Sequence, residues 1–183
     1  RQGATLQAQS KNAIKLNSDI LTNNGEIAIS STDGAITMAK DNNSAIDSGS
    51  AELALKADGD ISLGSLCLIS GKCGGTTPEK TSKVANITSE NGNITLAGDL
   101  LADRPLLLTA NNGALTLGGI DLSSRQGATL QAQSKQGIKL NNDILTNNGE
   151  IANNSTGGAI TMADNKILSA GDHNITLTAG GDV

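Results

Sequence analysis

Two cysteines, one histidine and a few carboxylates in turn-like strings are the residues of this chain best suited to chemistry. Cys67 and Cys73 stand in a C-x5-C spacing. A tetrahedral zinc site wants four ligands, so two thiolates do not make one. A redox pair wants two intervening residues rather than five. His173 is the only histidine, and no Ser and Asp stand at a recognisable triad spacing from it. It occupies a position where related strings carry Gly or Asn. The carboxylate pairs Asp58/Asp60 and Asp41/Asp47 are the residue type a polysaccharide-cleaving enzyme needs. Such enzymes gather Asp with Arg or Lys on one face, whereas Arg occurs here only at 1, 104 and 125. The acids also lie where Asp suits the backbone of a turn. The expectation is a protein that is not an enzyme and has no cofactor and no metal.

The composition narrows the alternatives further. The 183 residues include no Phe, Tyr or Trp, and 13 Lys plus Arg stand against 18 Asp plus Glu for a net charge of −5. Nucleic-acid binding wants a basic face and, for single strands, aromatic platforms for the bases. Sugar binding by ring stacking is excluded for the same reason. One His and two Cys do not supply a haem or zinc ligand set. The longest apolar runs are three or four residues, too short to insert in a membrane as a helix. The 37% apolar residues are regularly spaced, which argues against disorder.

That spacing identifies the elements that must position everything else. A short unit recurs: Gly, a small or polar residue, then apolar–polar–apolar. It appears as GAITM (34–38), GDISL (59–63), GNITL (92–96), GALTL (113–117), GIKL (137–140), GAITM (158–162) and, with His for Gly, HNITL (173–177). Period-two alternation punctuated by Gly and Asn-Gly is a strand-and-turn signal. Nothing has sustained helical spacing, so no helix is expected. From Ile14 to Ile36 is 22 residues, Ile94 to Leu115 is 21, Leu115 to Ile138 is 23 and Ile138 to Ile160 is 22. A second, weaker strand falls midway, at Ile27 and Ile29, Leu106 and Leu108, Leu130 and Ile151. Antiparallel hairpins would use the Asn-Gly pairs at 24–25, 91–92, 112–113 and 148–149. They do not explain a motif that returns only after a full 21–23 residues. A parallel β-helix does, with two or three short strands per coil and coils about 4.8 Å apart. The expectation is an all-β solenoid of eight or nine coils, each of roughly 20–23 residues. Ile14, Ile36, Ile94, Leu115, Ile138 and Ile160 form one inward ladder. Leu16, Met38, Leu96, Leu117, Leu140 and Met162 lie two residues on. The absence of rings suits a thin core in which aliphatic side chains stack on their own kind.

A longer duplication overlies the coils. Residues 1–39 and 125–163 share 33 of 39 positions at an offset of 124, and 52–61 matches 174–183 at an offset of 122, so 125–183 is a partial second copy of 1–61. The whole reads as one β-helix cut from a longer array. The repeat breaks once, at 64–85, which is expected to form an inserted loop. This stretch holds both cysteines, Pro78, Lys72, Glu79, Lys80 and Lys83. Loops on rigid scaffolds carry function more often than the scaffold does, which makes the three lysines the candidate partner contacts.

The strings LTNNGEIAI (21–29), GNITLAGDLLA (92–102), LTANNGALTLGGIDL (108–122) and NITLTAGGDV (174–183) resemble the repeats of filamentous haemagglutinin-type exoproteins, which Gram-negative bacteria export by two-partner secretion. The resemblance implies a right-handed β-helix in a long extracellular or cell-surface fibre. Its role would be adhesion and virulence, with a host or neighbouring cell surface or matrix as partner and an outer-membrane transporter during export. The family's secretion domain, with its Asn-Pro motifs, has no counterpart in these residues. Two other functions fit the same scaffold: the stick of a contact-dependent toxin delivery protein, and a polysaccharide-active enzyme. For an exported chain Cys67 and Cys73 would close a disulfide, contributing about 2 kcal/mol by restricting the unfolded chain. Some adhesins of this family carry sugars at Asn-x-Ser/Thr, which occurs at Asn42, Asn86, Asn93, Asn153, Asn154 and Asn174. Asn86, Asn93 and Asn174 are the candidate acceptors. The outward hydroxyls Thr37, Ser62, Thr95, Thr116, Thr161 and Thr176 are expected to form a column of the kind exposed strands favour.

Overall fold

The computed structural model describes residues 3–22, 24–38, 44–68 and 83–183. Short alternating strings make strands, and Gly and Asn make the corners between them. The first coil carries β1 (Leu6–Ser10), β2 (Ile14–Leu16) and β3 (Ile20–Leu21). The second carries β4 (Ile27–Ser31), β5 (Ile36–Met38) and β6 (Ser44–Asp47). The third carries β7 (Leu53–Ala57), β8 (Ile61–Leu63) and β9 (Leu66–Leu68), and the fourth β10 (Ala85–Ser89), β11 (Ile94–Leu96) and β12 (Leu100–Ala102). The fifth has β13 (Leu106–Ala110), β14 (Leu115–Leu117) and β15 (Ile120–Gln126), and the sixth β16 (Leu130–Ser134), β17 (Ile138–Leu140) and β18 (Ile144–Asn147). The seventh has β19 (Ile151–Ser155), β20 (Ile160–Met162) and β21 (Leu168–Ser169), after which β22 (Ile175–Ala179) opens an eighth. No helix occurs among the described residues.

Every third strand pairs in parallel, giving one sheet of eight strands and two of seven. The fold is the expected parallel β-helix. Its coils are fewer than eight or nine because the interval between paired strands exceeds 20–23 residues in places. From Ile27 to Leu53 is 26 residues and from Leu53 to Ala85 is 32, against 21 from Leu6 to Ile27. The strand expected to be the weaker one in each coil is the longer, at five residues throughout the eight-stranded sheet.

The predicted ladder is present rung for rung. Ile14 stacks on Ile36, Ile61, Ile94, Leu115, Ile138 and Ile160 in unbroken register. From Ile36 to Ile160 these side chains are buried, while Ile14 in the first coil is half-buried. The outward column is Lys15, Thr37, Ser62, Thr95, Thr116, Lys139 and Thr161. Thr176 does not join it. The string HNITL reads like the others, but β22 pairs with β19 in the eight-stranded sheet, where Thr176 lies beside Ala152. Alternation marks a strand without saying which side of the coil it occupies; the corner before it decides that.

The corners carry their own hydrogen bonds. Asn24 and Asn148 are equivalent in the duplication, and both take left-handed backbone, φ 67° and 52°. The Asn24 Oδ1 accepts from Ser50 N at 2.8 Å, and the Asn148 Oδ1 accepts from Asp172 N at 3.0 Å, one coil further on. Thr22 and Thr146 donate to the carbonyls of Gly25 and Gly149. Gly49 faces Asn24 with φ 59°, and a Cβ placed there would sit 2.1 Å from that Oδ1. Gly49→Ala is therefore expected to cost about 2 kcal/mol, from left-handed strain and a lost corner bond together. A urea titration that leaves the midpoint unchanged would remove this corner from the account.

Candidate functional site

The sequence singled out 64–85, and the structure sets its inner limits. Leu66–Leu68 is no loop: it forms β9, with Leu66 and Leu68 buried and registered against β6 and β12. Strand structure therefore continues to Leu68, and the next strand, β10, begins at Ala85. Lys72, Cys73 and Lys80 lie in 69–82, outside the described residues. Cys67 points outward on β9 and is disulfide-bonded. Lys83 is exposed just before β10.

The neighbouring corner holds a residue whose role the sequence did not disclose. Arg104 lies between β12 and β13 and is 1% exposed. Its Nη1 donates to Ser48 Oγ at 2.8 Å and to the Ala51 carbonyl at 3.1 Å, and its Nη2 donates to the Gly49 carbonyl at 2.7 Å. Its Nε stands 3.5 Å from Asp103 Oδ1. Burial pushes the guanidinium pKa down, and Asp103 and Asp47 push it back up. The corner between β6 and β7 belongs to the second coil and Arg104 to the fourth. The arginine thus ties the second coil to the fourth. The available signal was DRP at 103–105, the arginine of this chain that lies outside the duplicated string RQGATLQAQS.

A second feature recurs with the duplication. On the outward side of the eight-stranded sheet, Gln7, Gln9, Ala28, Ser30, Ala54 and Lys56 line an open depression of about 560 Å³. Their counterparts Gln131, Gln133, Ala152, Asn154, Thr176 and Thr178 line one of about 250 Å³. Among these lining positions Asn154 stands for Ser30, Thr176 for Ala54 and Thr178 for Lys56. Lys56 at the edge of the first is held by Glu90 at 2.9 Å. Lys56 and Asn111 in turn hold the Glu90 carboxyl below the usual carboxylate range.

The remaining candidates are scattered. Asn86 is half-buried on β10, and its Oδ1 accepts from Thr88 Oγ1 at 2.9 Å. Asn93 is exposed at a corner, donates from its backbone to Asp60 at 2.7 Å and accepts from Ala114 N at 2.9 Å. Asn174 is exposed before β22, four coils from Asn86. Asn42 lies outside the described residues, and Asn153 is buried. The Asp58 and Asp60 carboxylates accept from Asn91 and Asn93 of the next coil. The Asp47 Oδ1 accepts from Gly49 N at 2.7 Å, and Asp41 lies outside the described residues. His173 is exposed in the corner before β22, its backbone N donating to Ala170 at 3.2 Å. The structure does not bring His173, Asp58, Asp60 and Asp47 together: they occupy separate corners. No family model matches this chain, and neither the curated proteins nor the solved structures yield a match.

Proposed function

We propose that this chain is a shaft segment of a large secreted or cell-surface fibre, structural along its length and adhesive where its sequence repeat breaks. The observation carrying the reading is the stack of parallel rungs in three sheets. Such a stack builds length in small equal steps and presents similar short polar side chains coil after coil. The resemblance to haemagglutinin-type repeats supports an extracellular setting and a cell surface or matrix as partner. On a surface so repetitive, discrimination between partners belongs to 69–82, where the sequence repeat is lost. With no aromatic anchor, its contacts are modest and partly electrostatic, through Lys72, Lys80 and Lys83.

The test is attachment. Beads coated with the chain should bind cells or extracellular matrix more than bare beads do. A variant lacking 70–83 should keep nearly the parent melting temperature and lose most of that binding. If the deletion unfolds the coil, 70–83 is part of the shaft. If binding is absent from the outset, or survives the deletion intact, the segment is a spacer and the adhesive reading fails.

A further inference from the structure

Because 33 of 39 positions in the two copies are identical, the six that differ are informative. Five fall on corners or on the outward side of strands, Ser30/Asn154 among them. The sixth falls in the core. Ile29 is 2% exposed in β4, and its counterpart Asn153 is 1% exposed in β19. Ile29 stacks between Ala8 and Leu55. Asn153 stacks between Ala132 and Leu177, and neither its Nδ2 nor its Oδ1 has a hydrogen-bond partner. A carboxamide taken out of water with nothing to replace the water is a net loss on folding. β19 is not an edge strand: β16 pairs on one side of it and β22 on the other. In a solenoid whose coils touch mainly their neighbours, such a loss stays where it arises and sets where the stack opens.

We propose that Asn153 makes the seventh coil a yield point. The stack opens between β16 and β19, and β19 to β22 come away together while the coils before them remain closed. Opening uncovers the unpaired edge of β16, whose LQAQS string is the same as that of β1. A bared strand edge is a template for pairing with another strand.

Hydrogen exchange read by mass spectrometry on the whole chain tests this. Amides of 151–155 and 175–179 are expected to exchange at least about tenfold faster than those of 27–31 and 53–57. Asn153→Ile should remove most of that difference and raise the melting temperature. Ile29→Asn should create a matching fast segment in β4, and if that variant does not fold, the Asn153→Ile comparison decides alone. Equal rates in the parent would overturn the proposal. So would fast exchange that persists in Asn153→Ile, since the buried carboxamide would then not be its cause.

Discussion

Ile94→Asp is expected to destabilise the fold by about 5 kcal/mol, while Thr95→Asp, one residue on, changes stability by less than about 0.5 kcal/mol. Ile94 is fully buried, with Ile61 and Leu115 as its rung neighbours, and the core around it is aliphatic. A carboxylate there has no cation and no donor. It must be buried charged, protonated at a cost, or avoided by opening the coil. Thr95 faces outward between Ser62 and Thr116, where a carboxylate stays hydrated. Urea unfolding of the two variants checks the contrast. If Ile94→Asp unfolds at the parent midpoint, the inward register described here is wrong.

Arg104→Ala is expected to cost about 3–5 kcal/mol, in the range for removing one member of a buried charged network. Truncation removes the donors to the Ser48 hydroxyl and to the carbonyls of Gly49 and Ala51, leaving the Ser48 hydroxyl its own bond to the Ala51 carbonyl, and takes the cation away from Asp103 and Asp47. Arg104→Lys should recover little, because an ammonium cannot reproduce the two-pronged fork to Gly49 and Ser48. Hydrogen exchange separates this from a general loss. The 47–53 corner should exchange faster well before the ladder at Ile14 to Ile160 does. A variant with parent-like stability and an unchanged 47–53 corner would show that the arginine contributes nothing there.

Two of the three sheets were legible because their side chains alternate over three to five residues, and because the interval of 21–23 residues makes pairing with the next coil the economical reading. The third sheet was not. Its strands run from two residues in β3 and β21 to seven in β15, so no common unit recurs along it. LCL at 66–68 was therefore absorbed into the interruption. Thr176 was misplaced because alternation carries no information about which side of the coil a strand occupies. Arg104 was invisible for another reason: its partner Ser48 lies 56 residues away, and only the stacking of coils brings the two together. Asn153 could have been found. Aligning the two copies sets it against Ile29, and an inward position that changes from Ile to Asn is a core defect on paper as well as in space.

The main-chain ladders run only from each coil to the next, and this makes length a heritable variable. The 124-residue offset spans five rung steps, from β1 through β4, β7, β10 and β13 to β16, so one duplication adds about 24 Å of axis. Rungs away from the junction keep their partners when it is inserted. The new junction, β13 against β16, puts Leu106, Leu108 and Ala110 on Leu130, Ala132 and Ser134, an aliphatic and small-residue seam like the rest. Unequal recombination between the two copies would lengthen or shorten the rod by that same step and still leave a closed seam. Lineages carrying this gene should therefore differ in reach by multiples of one quantum, without any change in the chemistry of the rod.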